Sequence, residues 1–284
     1  MEYVTLSNEL KMPKLGFGVF QISKEDCERC VLDALDVGYR HIDTAQSYEN
    51  EAEVGSAIQK SSVPRTEIFL TTKVWISNYG YEKTKQSIMK SLKNLQTDYL
   101  DLVLLHQPYA DYYGAYKALE ELYQQGIIKA IGVSNFAPDR LVDIYSFNEI
   151  KPHVNQIEIN PLHQQTTAHE LMQKYAVQTQ AWAPFGEGKN DMFNQEILKT
   201  IAQKYQKSTA QVILRWLAHK DIVALAKSVR KERMIENFNI FDFELSAEDI
   251  ELITTMDNKE SLFFNHQSPE AVEMFVGFVK NRNI

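Results

Sequence analysis

The chain predicts an α/β fold of the (β/α)₈ or TIM-barrel class, and three observations carry that expectation. Strand-like and helix-like segments alternate from residue 16 to residue 226, there are eight such units, and no Pro/Gly-rich linker divides them. Alternating βα units give a parallel sheet, and eight strands suit a closed barrel better than an open doubly wound sheet. Barrels of this class commonly run to about 250 residues as one domain. A single barrel domain over residues 1–284 is therefore expected.

Each element reads from its local pattern. Residues 3–6 and 9–12 are two short alternating runs separated by Ser7-Asn8. That spacing fits a hairpin with a two-residue turn, expected to cap the bottom of the barrel. Residues 16–20 form the first barrel strand, followed by a helix over 24–37. In that helix Cys27, Cys30, Val31, Ala34 and Leu35 recur at helical spacing, which assigns both cysteines to a packed apolar face. Their C-x-x-C spacing also fits a redox pair or half of a zinc site, but no second Cys pair or suitably spaced His pair completes a zinc site.

Strand 41–45 leads to helix 49–60, and strand 68–75 to helix 81–95. Strand 100–106 is an almost continuous apolar run, as expected where helices cover both sheet faces. Its helix, 112–125, is stopped by Gly126. Strand 127–133 and helix 138–147 follow. Strands 154–159, 177–183 and 222–226 complete the set, with helices over 167–175, 194–205 and 208–219. Residues 257–284 lie beyond the eighth unit and carry Phe263, Phe264, Phe275 and Phe278. A C-terminal tail folded back over the barrel would bury them.

Composition narrows the function. With 44% apolar and 24% charged residues the chain is globular rather than disordered. A formal net charge of −8 argues against nucleic acid or an anionic membrane as the main partner. No apolar run approaches the roughly 20 residues that span a bilayer. Met1-Glu2-Tyr3-Val4 has neither the basic nor the apolar region of a secretory signal, so the cytoplasm is the expected compartment.

Barrel enzymes hold their chemistry at the C-terminal ends of the strands. There the sequence offers Asp43, then Tyr48 in the following loop, Lys73, and His106. Taken singly, an Asp after a strand is a turn or cap residue and a Tyr is half-buried packing. A lone His at a strand end is a hydrogen-bonded rim residue. Lys73 is harder to dismiss, because it sits between Thr72 and Val74 in an apolar strand. A buried ammonium costs several kcal/mol unless it is paired. Asp43 is the natural partner. A Lys–Asp pair beside Tyr48 favours the phenolate and is expected to draw its pKa below the reference of about 10. Such a tyrosine can hand a proton to an oxygen near neutral pH.

Longer motifs sharpen this reading. Gly38-Tyr39-Arg40-His41-Ile42-Asp43-Thr44-Ala45, continuing through Tyr48 and Glu51 to Val54-Gly55, resembles the first diagnostic motif of the aldo-keto reductases. Lys129-Ala130-Ile131-Gly132-Val133-Ser134-Asn135-Phe136 resembles the second, and Leu225-Ala226-Lys227-Ser228 with Arg233 and Asn237 is similar to the third. Leu104-Leu105-His106 and Val154-Asn155-Gln156-Ile157-Glu158 match further family segments. The resemblance covers nearly the whole chain in order. It is greatest to the prokaryotic and lower-eukaryotic branch with diketogluconate reductases and prostaglandin F synthases.

The resemblance implies reduction of aldehydes and ketones to alcohols. Tyr48 would be the general acid, Lys73 and Asp43 would tune it, and His106 would orient the substrate carbonyl. It implies NADPH/NADP⁺ as the cofactor, since no side chain supplies a hydride. Ser134, Asn135 and Gln156 would meet the carboxamide, and Trp182, followed by Ala183 and Pro184, the nicotinamide ring. Lys227, Ser228, Val229, Arg233, Glu236 and Asn237 fall on the adenosine end. The charge-assisted bonds there favour NADPH over NADH. Phe20, Trp75 and His106 fit substrate walls, and Tyr109 and the tail residues Phe263, Phe264, Asn265 and His266 compete between that role and core packing. Small aldehydes, α-dicarbonyls and keto-sugars are the expected substrates, with no metal and a monomeric chain.

The chain departs from the family pattern at Ala226, where proline is common, and at Gln107, where tryptophan is common. The stretch 186–190 is short, so a long loop covering the cofactor is not expected. Two other classes compete. A short-chain dehydrogenase would use Tyr-x-x-x-Lys, which Tyr81/Lys85 and Tyr113/Lys117 both match by accident, but the G-x-G-x-x-G turn is missing. A cofactor-binding regulatory protein on the same barrel, similar to potassium-channel β subunits, need not keep Asp43, Tyr48, Lys73 and His106 together. A metal-dependent hydrolase lacks clustered His and Asp ligands.

Overall fold

The computed structural model describes residues 1–281, so the last three residues of the expected tail lie outside the described residues. β1 (Tyr3–Thr5) and β2 (Lys11–Pro13) pair antiparallel, with Val4 opposite Met12. The connection is longer than the expected two-residue turn. The Leu6 N–H donates to the Leu10 carbonyl, and the N–H of Glu9, at φ 68°, donates to Leu6. Two-residue hairpin turns need positive φ at their centre. Here that conformation falls on Glu9 rather than on Ser7 or Asn8.

The barrel strands are β3 (Leu15–Gly18), β4 (His41–Asp43), β5 (Phe69–Val74), β6 (Leu102–Leu105), β7 (Ile131–Ser134), β8 (Val154–Glu158), β9 (Gln178–Trp182) and β10 (Val223–Ala226). They pair parallel in sequence order, and β10 pairs with both β9 and β3, which closes the sheet. Helices α1 (Lys24–Val37), α2 (Glu51–Lys60), α3 (Tyr81–Leu95), α4 (Tyr112–Gln124), α5 (Pro138–Phe147), α6 (Thr166–Lys174), α7 (Glu196–Tyr205) and α8 (Thr209–His219) lie between strands. The expected start at residue 49 is corrected to 51, because Glu49 adopts φ 58° and cannot belong to the helix. Ser23 caps α1, and Ser208 caps α8 in a reciprocal box with Gln211. Cys27 and Cys30 are free and buried on α1, as the helical spacing requires.

The sequence pattern assigns no helix beyond residue 219, and the structure adds α9 (Lys231–Phe238), α10 (Ala247–Thr254) and α11 (Pro269–Asn281). α9 and α10, at eight residues each, are too short for apolar periodicity to register, whereas α11 runs thirteen residues within the tail expected to fold back over the barrel. The tail does cross the barrel mouth: Phe275 of α11 packs on Trp75 at 5.9 Å and on Tyr109 at 5.3 Å.

Strand alternation sorts the interior. Along β6, Val103 and Leu105 join the layer between sheet and helices, while Leu102 and Leu104 join a second cluster inside the barrel. That inner cluster includes Val4, Leu6 and Met12, so the hairpin seals the N-terminal end. The same inward face of β5 runs Phe69, Thr71, Lys73. The alternation that buries Phe69 therefore aims Lys73 into the opposite, C-terminal end.

Candidate active site

Asp43 ends β4, Lys73 lies near the end of β5, and His106 follows β6. Tyr48 closes a single 3₁₀ turn, Gln46–Tyr48, whose exit through the left-handed Glu49 returns the chain to the rim. Lys73 is fully buried and Asp43 nearly so. Lys73 Nζ donates to Asp43 Oδ1 at 2.5 Å, to the Thr44 carbonyl at 3.1 Å and to the Tyr48 hydroxyl at 3.1 Å. The ammonium thus uses all three donors. The other oxygen of Asp43 accepts from Gln156 Nε2 at 3.0 Å, and the same amide donates to Gln180 Oε1 at 3.0 Å. A continuous polar chain therefore runs Gln180, Gln156, Asp43, Lys73, Tyr48.

Electrostatics follow from that chain. Burial opposes the Lys73 ammonium, but Asp43, with Tyr48, outweighs it and holds the lysine above its ordinary pKa. Burial raises Asp43, with Lys73 and Gln156 pulling the other way. The expectation of a lowered tyrosine pKa is corrected. Burial raises Tyr48 above its ordinary value, and Lys73 offsets only part of that. The physical reason is that the ammonium is already neutralised by Asp43, so its pull on the phenol is reduced. Tyr48 therefore holds its proton at neutral pH. His106 is pushed well below the usual imidazole range, first by burial and then by Lys73 and His266. It is neutral. Its Nδ1 lies 3.3 Å from Ser47 Oγ.

Aromatic rings frame these groups. Phe20, about half exposed at 48%, sits 4.9 Å from the Tyr48 ring. Trp75 is buried and packs edge-on to His106 at 5.4 Å, and Tyr48 to His106 at 5.7 Å. Phe264 and His266 of the tail pack at a tilt with ring centres 4.4 Å apart, and Phe263 lies 5.1 Å from Trp182.

The residues expected around the carboxamide and nicotinamide also meet. Ser134 Oγ donates to the Gln156 carbonyl at 2.9 Å. Asn135, at φ 63°, donates to the His106 carbonyl at 3.1 Å and to Ser134 Oγ at 3.2 Å, and its Oδ1 accepts from Trp182 Nε1 at 2.9 Å. Ala183 at φ 47° then turns the chain off β9 into Pro184.

A groove of about 460 Å³ lies beside β10 and α9, lined by Lys227, Ser228, Arg230, Arg233, Glu236 and Asn237 on one side and by Phe185, Phe193, Ser208 and Thr209 on the other. Trp182, Ala183, Pro184 and Val229 do not line it; the Val229 carbonyl accepts instead from Arg29 of α1 at 3.3 Å. Arg233 pairs with Glu236 at 2.6 Å, whereas Lys227 and Arg230 have no ion pair among the described residues. Arg230 escaped the sequence reading because it lies between the motif positions, although its charge was visible. A second groove of about 640 Å³ opens between α2 and α3, with mixed acids and lysines, and includes Gln46 but none of the expected site residues. Gln180, Ser47 and Glu158 also escaped, since each acts only through a neighbour that folding brings close. Residues 186–194 are an irregular stretch of tight turns, with Glu187, Asn190 and Asp191 at positive φ, from which Lys189 reaches the Leu262 carbonyl of the tail.

Comparison with known proteins gives the family. Residues 14–258 match the model of the aldo/keto reductase family. The chain is 44% identical over 259 residues to glyoxal reductase of Bacillus subtilis, covering 90% of this chain and 93% of that one. It is 41% identical to the 9,11-endoperoxide prostaglandin H2 reductase of Trypanosoma cruzi, over 91% and 93% of the two chains. The solved structure of a Bombyx mori aldo-keto reductase in complex with NADP superposes with a TM-score of 0.88 at 29% identity, over 93% and 95% of the two chains. Among the described residues no helix is long and apolar enough to cross a membrane. The chain belongs to the aldo/keto reductase family.

Proposed function

We propose that this chain reduces small aldehydes and α-dicarbonyls, with keto-sugars as a wider class, to alcohols using NADPH, with Tyr48 as general acid. The observation that carries the reading is the buried chain from Asp43 through Lys73 to the Tyr48 hydroxyl, at 2.5 and 3.1 Å. A purely structural ion pair has no need of a protonated phenol at a barrel mouth. The relatives reduce carbonyl or peroxide substrates by their names, glyoxal being an α-dicarbonyl.

The residues fit the cofactor. The groove gathers Lys227, Arg230 and Arg233 with the Ser228 hydroxyl, and Lys227 and Arg230 have no ion pair among the described residues. Cations and hydroxyls are the donors a 2′-phosphate needs. Asn135, Ser134 and Gln156 present amide and hydroxyl groups beside Trp182 for the carboxamide and ring. Bound there, NADPH supplies the hydride. Tyr48 donates its proton to the substrate oxygen as negative charge develops on it. Lys73 stabilises the phenolate left behind, and Asp43 keeps Lys73 charged and aimed. Where Ser47 donates to Nδ1 of His106, the proton lies on Nε2, and the neutral ring donates a hydrogen bond to the same oxygen.

The test is loss of NADPH absorbance with a panel of aldehydes, α-dicarbonyls and keto-sugars. Tyr48→Phe should lower turnover about 10²-fold or more while NADPH affinity is retained. Equal turnover in the variant would remove Tyr48 from the mechanism. Tight NADPH binding without turnover on any carbonyl would favour a cofactor-sensing role.

A further inference from the structure

Residues 261–266 of the tail are held across the barrel mouth from three strand ends. Ser261 Oγ donates to Glu158 Oε2 at 2.6 Å, and the Leu262 N–H to Glu158 Oε1 at 3.0 Å, at the end of β8. Lys189, beyond β9, donates to the Leu262 carbonyl at 3.1 Å and lies 3.9 Å from the centre of the Phe263 ring. Tyr109, beyond β6, donates its hydroxyl proton to the His266 carbonyl at 2.6 Å. A segment fixed from three sides presents its side chains in set positions, which is what selective recognition requires.

Most of those side chains are accounted for. Leu262, Phe263 and Phe264 are apolar, Ser261 is an anchor, and Asn265 Oδ1 accepts from the Gln267 N–H. His266 differs. Its ring packs at a tilt against Phe264, 4.4 Å away, with Trp182 at 6.3 Å and Phe275 at 6.4 Å, and neither ring nitrogen has a hydrogen-bond partner among the described residues. Phe275 also packs on Trp75, and Trp75 on His106, so the two imidazoles flank one aromatic enclosure. Burial pushes the His266 pKa down to about 4, which leaves one N–H and one lone pair at neutral pH.

We propose that His266 selects vicinal dicarbonyls by donating its N–H to the second oxygen, on the carbon next to the one that Tyr48 and His106 engage. This inference rests on the reductase reading above. A monocarbonyl substrate displaces water from His266 and leaves the N–H unpaired, whereas a dicarbonyl satisfies it. Sites built to pair a polar group discriminate against analogues that cannot.

Methylglyoxal and propanal share a three-carbon chain and differ by that second oxygen, so the ratio of their kcat/KM values with NADPH isolates the contact. In His266→Phe the methylglyoxal-to-propanal ratio should fall about tenfold, the size of one lost hydrogen bond. His266→Gln, which keeps an N–H donor, should recover most of that loss. A merely structural role would lower both substrates together and leave the ratio unmoved, and that result overturns the proposal. Wild-type turnover of propanal without methylglyoxal would overturn it too, with the reductase reading intact. No NADPH consumption with any carbonyl would overturn the reductase reading first and this inference with it.

Discussion

The two ends of the barrel share the same strands and are filled in opposite ways. At the N-terminal end Phe69, Leu102, Val154 and Val223 meet Val4, Leu6 and Met12 of the hairpin in a buried apolar cluster. Two or four residues further along, the inward positions are Lys73, His106 and Gln156, with Asp43 beside them. Alternation directs both sets inward, so side-chain type alone separates a sealed end from a reactive one. The sealed end stabilises by removing apolar surface from water. The reactive end buries charge, which is tolerated because each group is paired: Lys73 has three partners, and both oxygens of Asp43 are occupied. His41 marks the border between them. It is fully buried, burial pushes its pKa down to about 3, and its Nε2 lies 3.3 Å from Thr71 Oγ1, so it remains neutral.

The contrast breaks most severely at Lys73. Lys73→Met leaves Asp43 buried and uncompensated, so it should abolish turnover and cost about 3–5 kcal/mol of stability. Adding Asp43→Asn should restore most of the stability and none of the turnover. Recovery of both in the double variant would separate the ion pair from the chemistry. At the sealed end Met12→Ala should cost about 2–5 kcal/mol while the folded enzyme keeps its kcat. A matching fall in kcat would show that the ends are coupled.

Smaller effects sharpen the picture. Arg233→Ala should weaken NADPH by about tenfold or more, the worth of a charge-assisted hydrogen bond, and NADH far less. Arg230→Ala should act in the same direction, and equal losses for both cofactors would remove these cations from the 2′-phosphate. The smallest change is expected from pH. His106 is already neutral, so the reduction rate should show no inflection near the ordinary imidazole value of about 6.5. Tyr48 is raised, so its proton-donating form persists through neutral pH and is lost only as pH climbs past the ordinary tyrosine value of about 10. A rate that falls through pH 7–8 would contradict that assignment.

The amino-acid order by itself determined the eight βα units, the burial of Cys27 and Cys30 on α1, and the meeting of Asp43, Tyr48, Lys73 and His106 at one rim. These follow from local rules: period-two and helical spacing sort faces, and strand ends converge at one mouth. Lys73 was legible because a lysine in an apolar strand demands a partner. Only the tertiary structure decided the rest. The hairpin loop over residues 6–10 depends on where positive φ is tolerated, and α9 and α10 are too short for periodicity to reveal. The raised pKa of Tyr48 is a balance of burial against a cation that Asp43 already neutralises. Arg230 in the groove, and His266 held over the mouth by Glu158, Lys189 and Tyr109, depend on contacts between segments far apart in the chain. Spacing along a strand records which side chains face inward. The distance between two loops is recorded only in the folded molecule.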